Sequence, residues 1–336
     1  MNLPIETLRG LACLLLVAYH VIGADPSHGL RIQEGLFRWL NDGMAYLRMP
    51  LFTVLSGLVY GLRPFNGKTR AFLTGKVRRL LIPMLFVGTL FAVLQASMPG
   101  TNSSVGPWYL LHLQPVAHFW FVESLFWVFL VIWALERWNV INNSRGYVLA
   151  FTLACVLYLN LRGWSWLGLQ GAIYLMPYFL VGLAVSRFEL TSLVARRPVW
   201  LGLAALALGG VLLMGMPVPN PDRRTPLMLV TGTSLCLLLL SWNGTVSWLA
   251  SIGRHSYAIY LFHVFFTAAV RIGLERIKVD GLLLPILFGI LLGLAGPILV
   301  DWSASKFKWS ALLLLGKTVK SRPRAVVAPE HLAVVQ

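Results

Sequence analysis

Long apolar runs follow one another along almost the whole chain, at about residues 5–24, 44–62, 80–98, 118–135, 147–161, 168–186, 199–216, 227–242, 256–273 and 282–302. Crossing the hydrocarbon core of a bilayer takes about 20 mostly apolar residues. Inside lipid every backbone N–H and C=O must be satisfied within the protein, so such runs cross as helices. The expected fold is therefore all-α: a polytopic integral membrane bundle of about ten transmembrane helices. Hydrophobic residues make up 57% of the 336 positions and charged ones 12%. A soluble domain has roughly 45–50% apolar and roughly 25% charged residues, so an ordinary cytosolic enzyme, a disordered chain and a coiled coil are excluded. Cys13, Cys155 and Cys236 all lie inside apolar runs and read as small packing residues rather than a disulfide framework or a zinc site.

The net charge of +16 would suggest nucleic acid in a soluble protein. In a membrane protein it reads first as topology. Alternating the loops places about 19 of the 28 Lys and Arg residues on one side, including Arg9, the cluster at 63–79, Arg187, Arg196, Arg197, Arg254 and the C-terminal tail. The positive-inside rule assigns that side, and with it both termini, to the cytoplasm. The loop at 99–117 has no Asp, Glu, Lys or Arg and should face outward. No nucleic-acid partner is expected; the surroundings are membrane lipids. Residues 30–43 look like an interfacial amphipathic helix, with Leu30, Phe37, Trp39 and Leu40 interleaved with Arg31, Glu34 and Arg38. The first run lacks a basic segment before it and is as long as a span, so it reads as the first helix rather than a cleavable leader. The chain divides into a membrane domain at 1–305 and a basic cytoplasmic tail at 306–336.

Few ionisable residues interrupt the apolar runs, and those few carry the chemistry. Arg9 and His20 are eleven residues apart. That is almost three helical turns, so the two share a face about 16 Å apart along the axis. Glu6 precedes Arg9 by three residues and can pair with it. Ionisable groups in a membrane helix tend to line a water-filled cavity or site, and His suits general-base work near neutral pH. Glu123 stands mid-way in the fourth run between Trp120 and Trp127; it could serve the site or pair with Arg48. His118, at the outer end of that run, reads as interfacial. Tyr257, Tyr260 and His263 form a stripe that could line an acceptor cleft. Six basic and no acidic residues occupy 63–79, and Lys76, Arg78 and Arg79 stand just before a new helix, where they can hold phosphates.

Five stretches, taken in order, resemble one family. ETLRGLACLLLVAYH (6–20) is similar to the opening of the membrane-bound acyltransferase 3 family: an acidic residue, Leu-Arg-Gly, and a His eleven residues after the Arg. MPLFTVLSGLVYG (49–61), KVRRLLIP (76–83), HFWFVESLFWVF (118–129) and SIGRHSYAIYLFH (251–263) are similar to its later helices and its basic loop. That loop is often Arg-x-x-Arg in the family, where this chain has Lys76-x-x-Arg79. Lys keeps the charge but loses the bidentate fork.

The resemblance implies a roughly ten-helix enzyme of the bacterial cytoplasmic membrane that moves an acyl group, usually acetyl, from cytoplasmic acyl-CoA to an extracytoplasmic glycan hydroxyl. Acetyl-CoA would be a co-substrate rather than a bound cofactor. The acceptor would be a glycan such as exopolysaccharide or lipopolysaccharide, whether free or lipid-linked. His20, Arg9 and Glu123 are the expected catalytic residues, with Lys76, Arg78 and Arg79 on the CoA phosphates and Tyr257, Tyr260, His263 and Trp120 on the acceptor. No metal is expected. Direct attack by the acceptor hydroxyl and passage through an acyl-histidine both fit this set. A transporter or flippase for a lipid-linked saccharide is the alternative. The lack of an internal repeat counts against it.

Overall fold

The computed structural model describes residues 2–164, 166–214, 224–279 and 281–318. The described residues are helices and connecting loops, with one isolated bridge between Leu111 and Gln114. In chain order the α-helices are α1 (Leu3–Ile22), α2 (Leu36–Gly43), α3 (Ala45–Leu62), α4 (Thr69–Lys76), α5 (Ile82–Ser97), α6 (Trp120–Arg137), α7 (Ser144–Asn160), α8 (Leu169–Arg187), α9 (Thr191–Val194), α10 (Arg197–Met214), α11 (Pro226–Trp242), α12 (Ser247–Gly253), α13 (Ser256–Arg276), α14 (Leu283–Ala304) and α15 (Lys308–Leu315).

Among the described residues, seven helical stretches are long and apolar enough to cross a membrane: Leu3–Ile22, Leu36–Leu62, Thr69–Ser97, Ala117–Arg137, Trp166–Arg187, Ser256–Arg276 and Leu283–Ala304. The other three expected spans are helices too, α7, α10 and α11, of 17, 18 and 17 residues. At 1.5 Å per residue such helices reach only about 26 Å, short of a hydrocarbon core of about 30 Å. A count of ten rests on these three. The interfacial helix starts later than the pattern suggested. Gly35 has a φ of 101°, which breaks the helical path, so only Leu36–Gly43 coils. Its Leu36, Trp39 and Leu40 stay exposed while Arg38 turns inward. The guanidinium of Arg38 donates to the Gly23 carbonyl (2.9 Å) and the Ile32 carbonyl (3.1 Å). It thereby closes off the loop that leaves α1.

α1 is the centre of the bundle and packs against α3, α12, α13 and α14. Asn2 caps its start and Pro4 occupies its first turn, where a missing N–H costs nothing. Close approach depends on glycines. A Cβ on Gly10 would stand 2.0 Å from the Leu249 carbonyl oxygen of α12, and one on Gly253 would stand 1.9 Å from that of Glu6. The α3–α8 contact is built the same way, from Gly57 against Phe179 and Gly182 against Val54. In lipid, helices associate by packing rather than by expulsion of water, so small residues that let backbones meet do much of the joining. α14 shows the two-faced result. Gly289, Gly293 and Gly296 lie against Val21, Val17 and Phe266, whereas Leu283, Leu287, Leu291 and Leu299 are exposed.

The start of the C-terminal tail is folded. α15 packs on α5, Gly316 lies against the Arg78 backbone, and Lys317 donates to Asp301 at 2.5 Å. The rest of the tail, 319–336, lies outside the described residues.

Candidate active site

His20 comes to the site in the last turn of α1, which Gly23 ends with a φ of 111° and an N–H bonded to the Tyr19 carbonyl at 2.8 Å. Two more histidines meet it. The His263 ring, from α13, is 4.7 Å from His20 between centroids, and the His118 ring is 5.8 Å away. His118 and His263 are 5.0 Å apart. His118 stands on a one-turn 3-10 helix, Ala117–Phe119, that leads into α6. Its backbone carbonyl accepts a hydrogen bond from the Tyr260 hydroxyl, so α13 fixes the place where α6 begins.

The hydrogen bonds settle the tautomers of the two neighbours. The Nδ1 of His263 faces the carbonyls of Ile259 (2.8 Å) and Tyr260 (2.9 Å). A carbonyl only accepts, so this nitrogen carries the proton and donates. The Nε2 of His118 donates in the same way to the Leu261 carbonyl at 3.3 Å. The second nitrogen of each ring, His118 Nδ1 and His263 Nε2, is buried and has no hydrogen-bond partner among the described residues. Buried polar atoms are nearly always satisfied, and exceptions gather where chemistry is done.

Two cavities of about 670 Å³ each meet at this cluster, and Tyr19, His20, Ala117 and His118 line both. The first is polar and aromatic, with Arg48, Trp120, Arg162, Gln170, Tyr174 and Arg224 on its walls. The second runs between α1, α5, α13 and α14 along Phe91, Leu94, Phe265 and Ala268. The Arg48 guanidinium lies 4.1 Å over the Tyr19 ring and donates twice to Asn41, at 2.8 Å each. In the loop after α1, Asp25 accepts from the Ser27 hydroxyl at 2.5 Å and lies 2.8 Å from His28 Nδ1. The Ser27 hydroxyl, and then His28, hold this carboxyl well below the ordinary carboxylate range. A lowered folded-state pKa stabilises at pH values above the unfolded one, so this turn keeps its bonds at neutral pH and loses them in strong acid. His28 from the same turn lines the second cavity.

The basic residues sit at the other end of α1. Arg9 donates to Glu6 at 2.9 Å. Lys76 ends α4 and holds its ammonium 3.2 Å over the Phe129 ring, with Tyr60 and Phe72 beside it. Arg78 and Arg79 lie in a π-helical turn, Val77–Leu81, between α4 and α5. Pro83 has no N–H with which to bond the carbonyl four residues back, that of Arg79. The Tyr257 hydroxyl bonds that carbonyl instead. Tyr257→Phe is expected to lower thermal stability by about 1 kcal/mol. Thermal unfolding of the purified variant would show this, and an unchanged midpoint would remove Tyr257 as a tie between α13 and the basic turn.

Of the residues singled out from the sequence, His20, Tyr260 and Trp120 line the first cavity, and His263, which lines neither cavity, packs against His20. Arg9, Lys76, Arg78 and Arg79 line neither cavity, and Tyr257, one turn before Tyr260 on α13, bonds the Arg79 carbonyl. Glu123 is buried, and among the described residues its carboxyl has no hydrogen bond or ion pair. Its neighbours Trp120 and Ser124 line the first cavity and Glu123 does not. It packs against Gly168, whose carbonyl accepts from Ser124 at 2.7 Å. His118, Arg48, Arg162 and Arg224, which also line the first cavity, were not among the residues expected at the site. His118 had looked interfacial from its place at a helix end, but it is buried.

A helical membrane protein with a buried histidine cluster between two cavities is the class that fold and site define. The acyltransferase 3 family, described as an acyltransferase domain, matches residues 2–302. The chain belongs to that family and is a multi-pass membrane acyltransferase. Neither the curated proteins nor the solved structures give a match.

Proposed function

We propose that this enzyme takes an acyl group, acetyl in the first instance, from acyl-CoA at the cytoplasmic face and esterifies a hydroxyl of an extracytoplasmic glycan. The observation that carries this reading is the position of His20, on the walls of two cavities and beside the rings of His118 and His263. The Lys76–Arg79 turn holds the nucleotide phosphates, and the pantetheine arm runs along α1 from Arg9 toward His20. His20 accepts the proton of the acceptor hydroxyl as its oxygen attacks the thioester carbonyl. The carbon–sulfur bond breaks, the ester forms, and the thiolate leaves and takes up a proton. A cytoplasmic position for both termini and residence in a bacterial inner membrane belong to the same proposal.

Incubation of the purified protein with labelled acetyl-CoA and a surface glycan tests this reading. Label in base-labile ester linkage to a sugar supports it, and CoA release without sugar label refutes it. Arg9→Ala is expected to raise the KM for acetyl-CoA about tenfold, the loss of one charge-assisted contact, with kcat changed less. Unchanged kinetics would remove Arg9 from the donor path.

A further inference from the structure

Acyl-CoA is a linear molecule whose thioester lies between the pantetheine arm and the acyl chain. A donor that reaches His20 along α1 from Arg9 therefore carries its acyl chain onward, past His20 and toward the C-terminal end of that helix. The second cavity lies there. It begins at Tyr19 and His20 and continues past Val21, Gly23 and Ala24. An acetyl group would place a single methyl in a space of about 670 Å³. The walls suit an alkyl chain: Phe91 and Leu94 of α5 line the cavity with Val264, Phe265 and Ala268 of α13, and no Asp or Glu is among the described lining residues. Small residues keep it open. Ala269 and Gly273 of α13 and Gly289 of α14 belong to its walls, and a Cβ on Gly273 would meet no atom within 4 Å.

The far end is polar. Gln95, Ser103 and Arg271 line it. Gln95 donates to the Ser103 carbonyl at 2.8 Å, and the buried Arg271 donates to the Gly100 carbonyl at 2.6 Å and to Glu275 at 3.0 Å. His263, whose ring is 4.7 Å from that of His20, precedes Arg271 by eight residues on α13, about 12 Å along the axis. A fully extended chain advances about 1.2 Å per bond, so about ten bonds fill this length. We propose that the second cavity holds the acyl chain of the donor, and that the enzyme favours acyl-CoA with a chain of about six to ten carbons over acetyl-CoA. This inference rests on the acyl-transfer reading and sets the length of the group moved; the bonds broken and formed stay the same, and the test separates the two.

The test measures equilibrium binding of acetyl-, butyryl-, hexanoyl-, octanoyl-, decanoyl- and dodecanoyl-CoA, each tritiated in the acyl chain, to the purified full chain in lipid nanodiscs. Burying one methylene is worth up to about fourfold in affinity. With half of that free energy realised, octanoyl-CoA binds about 60-fold more tightly than acetyl-CoA. The gain is expected to stop at about ten carbons, where the chain meets the polar end. Ala268→Phe is expected to cut the octanoyl gain to about threefold or less. Gly273→Leu has room for its side chain, which leans back over the preceding turn of the helix. It is expected to weaken decanoyl-CoA about fourfold and serves if Ala268→Phe fails to fold. Equal binding across the series overturns the proposal. An undiminished gain in a folded variant does so too, since it marks uptake of the chain by the surrounding lipid. So does loss of the octanoyl gain, with acetyl-CoA binding kept, on adding polyprenyl phosphate to the nanodiscs, which would assign the cavity to a lipid-linked acceptor. Transfer of labelled acyl groups to a surface glycan is followed in parallel. A chain-length preference without any transfer removes the acyl-transfer reading alone, and transfer with no chain-length preference removes this inference alone.

Discussion

His20→Ala is expected to lower acyl transfer by about 100-fold to 10,000-fold, the usual contribution of a positioned general base, while the protein reaches its normal level in the membrane. The two effects separate because His20 ends α1 in contact with cavities on both sides. Losing the ring enlarges an existing space and uncovers no packed core. The same result is expected from His20→Gln, which restores hydrogen bonding but cannot hold a proton. Glycan ester content in cells, measured beside the membrane level of the protein, reads both. Undiminished ester content at a normal protein level would take the central role from His20. The neighbouring histidines should behave differently. Each is fixed by backbone carbonyls and neither takes the proton of the acceptor hydroxyl, so replacing either should leave measurable turnover.

The second large effect concerns assembly. Gly253→Val is expected to abolish accumulation of the folded protein, and Gly253→Ala to reduce it. Even an alanine Cβ there would stand 1.9 Å from the backbone carbonyl oxygen of Glu6, and a backbone atom cannot rotate aside as a side chain can. The helices must separate. Overpacking of this kind costs about 1–3 kcal/mol and sometimes more. Glu6 also holds Arg9, so any Gly253→Ala protein that does assemble should show an altered response to acyl-CoA. Fluorescence-detected gel filtration of tagged variants reads the first effect. Normal, monodisperse yield of Gly253→Val would contradict the glycine-mediated contact of α1 with α12.

The sequence disclosed the helices and one side of the site, and physics explains where it stopped. The Arg9–His20 spacing was legible because an ideal helix turns eleven residues into three turns, and α1 is an unbroken helix of 20 residues. Trp120, Tyr260 and His263 were legible as polar or aromatic positions in apolar runs. His118 was not, since its burial depends on a 3-10 turn that re-enters the bundle after the loop at 99–116. The hydroxyl of Tyr260 anchors it there, and no local pattern announces such a tertiary bond. Arg162 and Arg224 stood among the outer-side charges that topology counting uses only as a tally. Their convergence on one cavity needs two loops, from distant parts of the chain, to meet. Gly10, Gly57 and Gly253 belong to the stretches that carried the family resemblance, and three of those motif positions are backbone contacts between helices. Part of what looks like a catalytic signature is therefore packing. The late start of α2 follows from Gly35, whose positive φ outweighed an amphipathic pattern.

The most direct test of acyl transfer across the membrane at His20 uses proteoliposomes. Labelled acetyl-CoA is enclosed on the side where α1 begins, and the glycan acceptor is supplied only on the other. The account predicts ester-linked label on the external glycan with the native protein and none with His20→Ala. Label transfer that persists in His20→Ala, or glycan that crosses the bilayer without acquiring label, would contradict it.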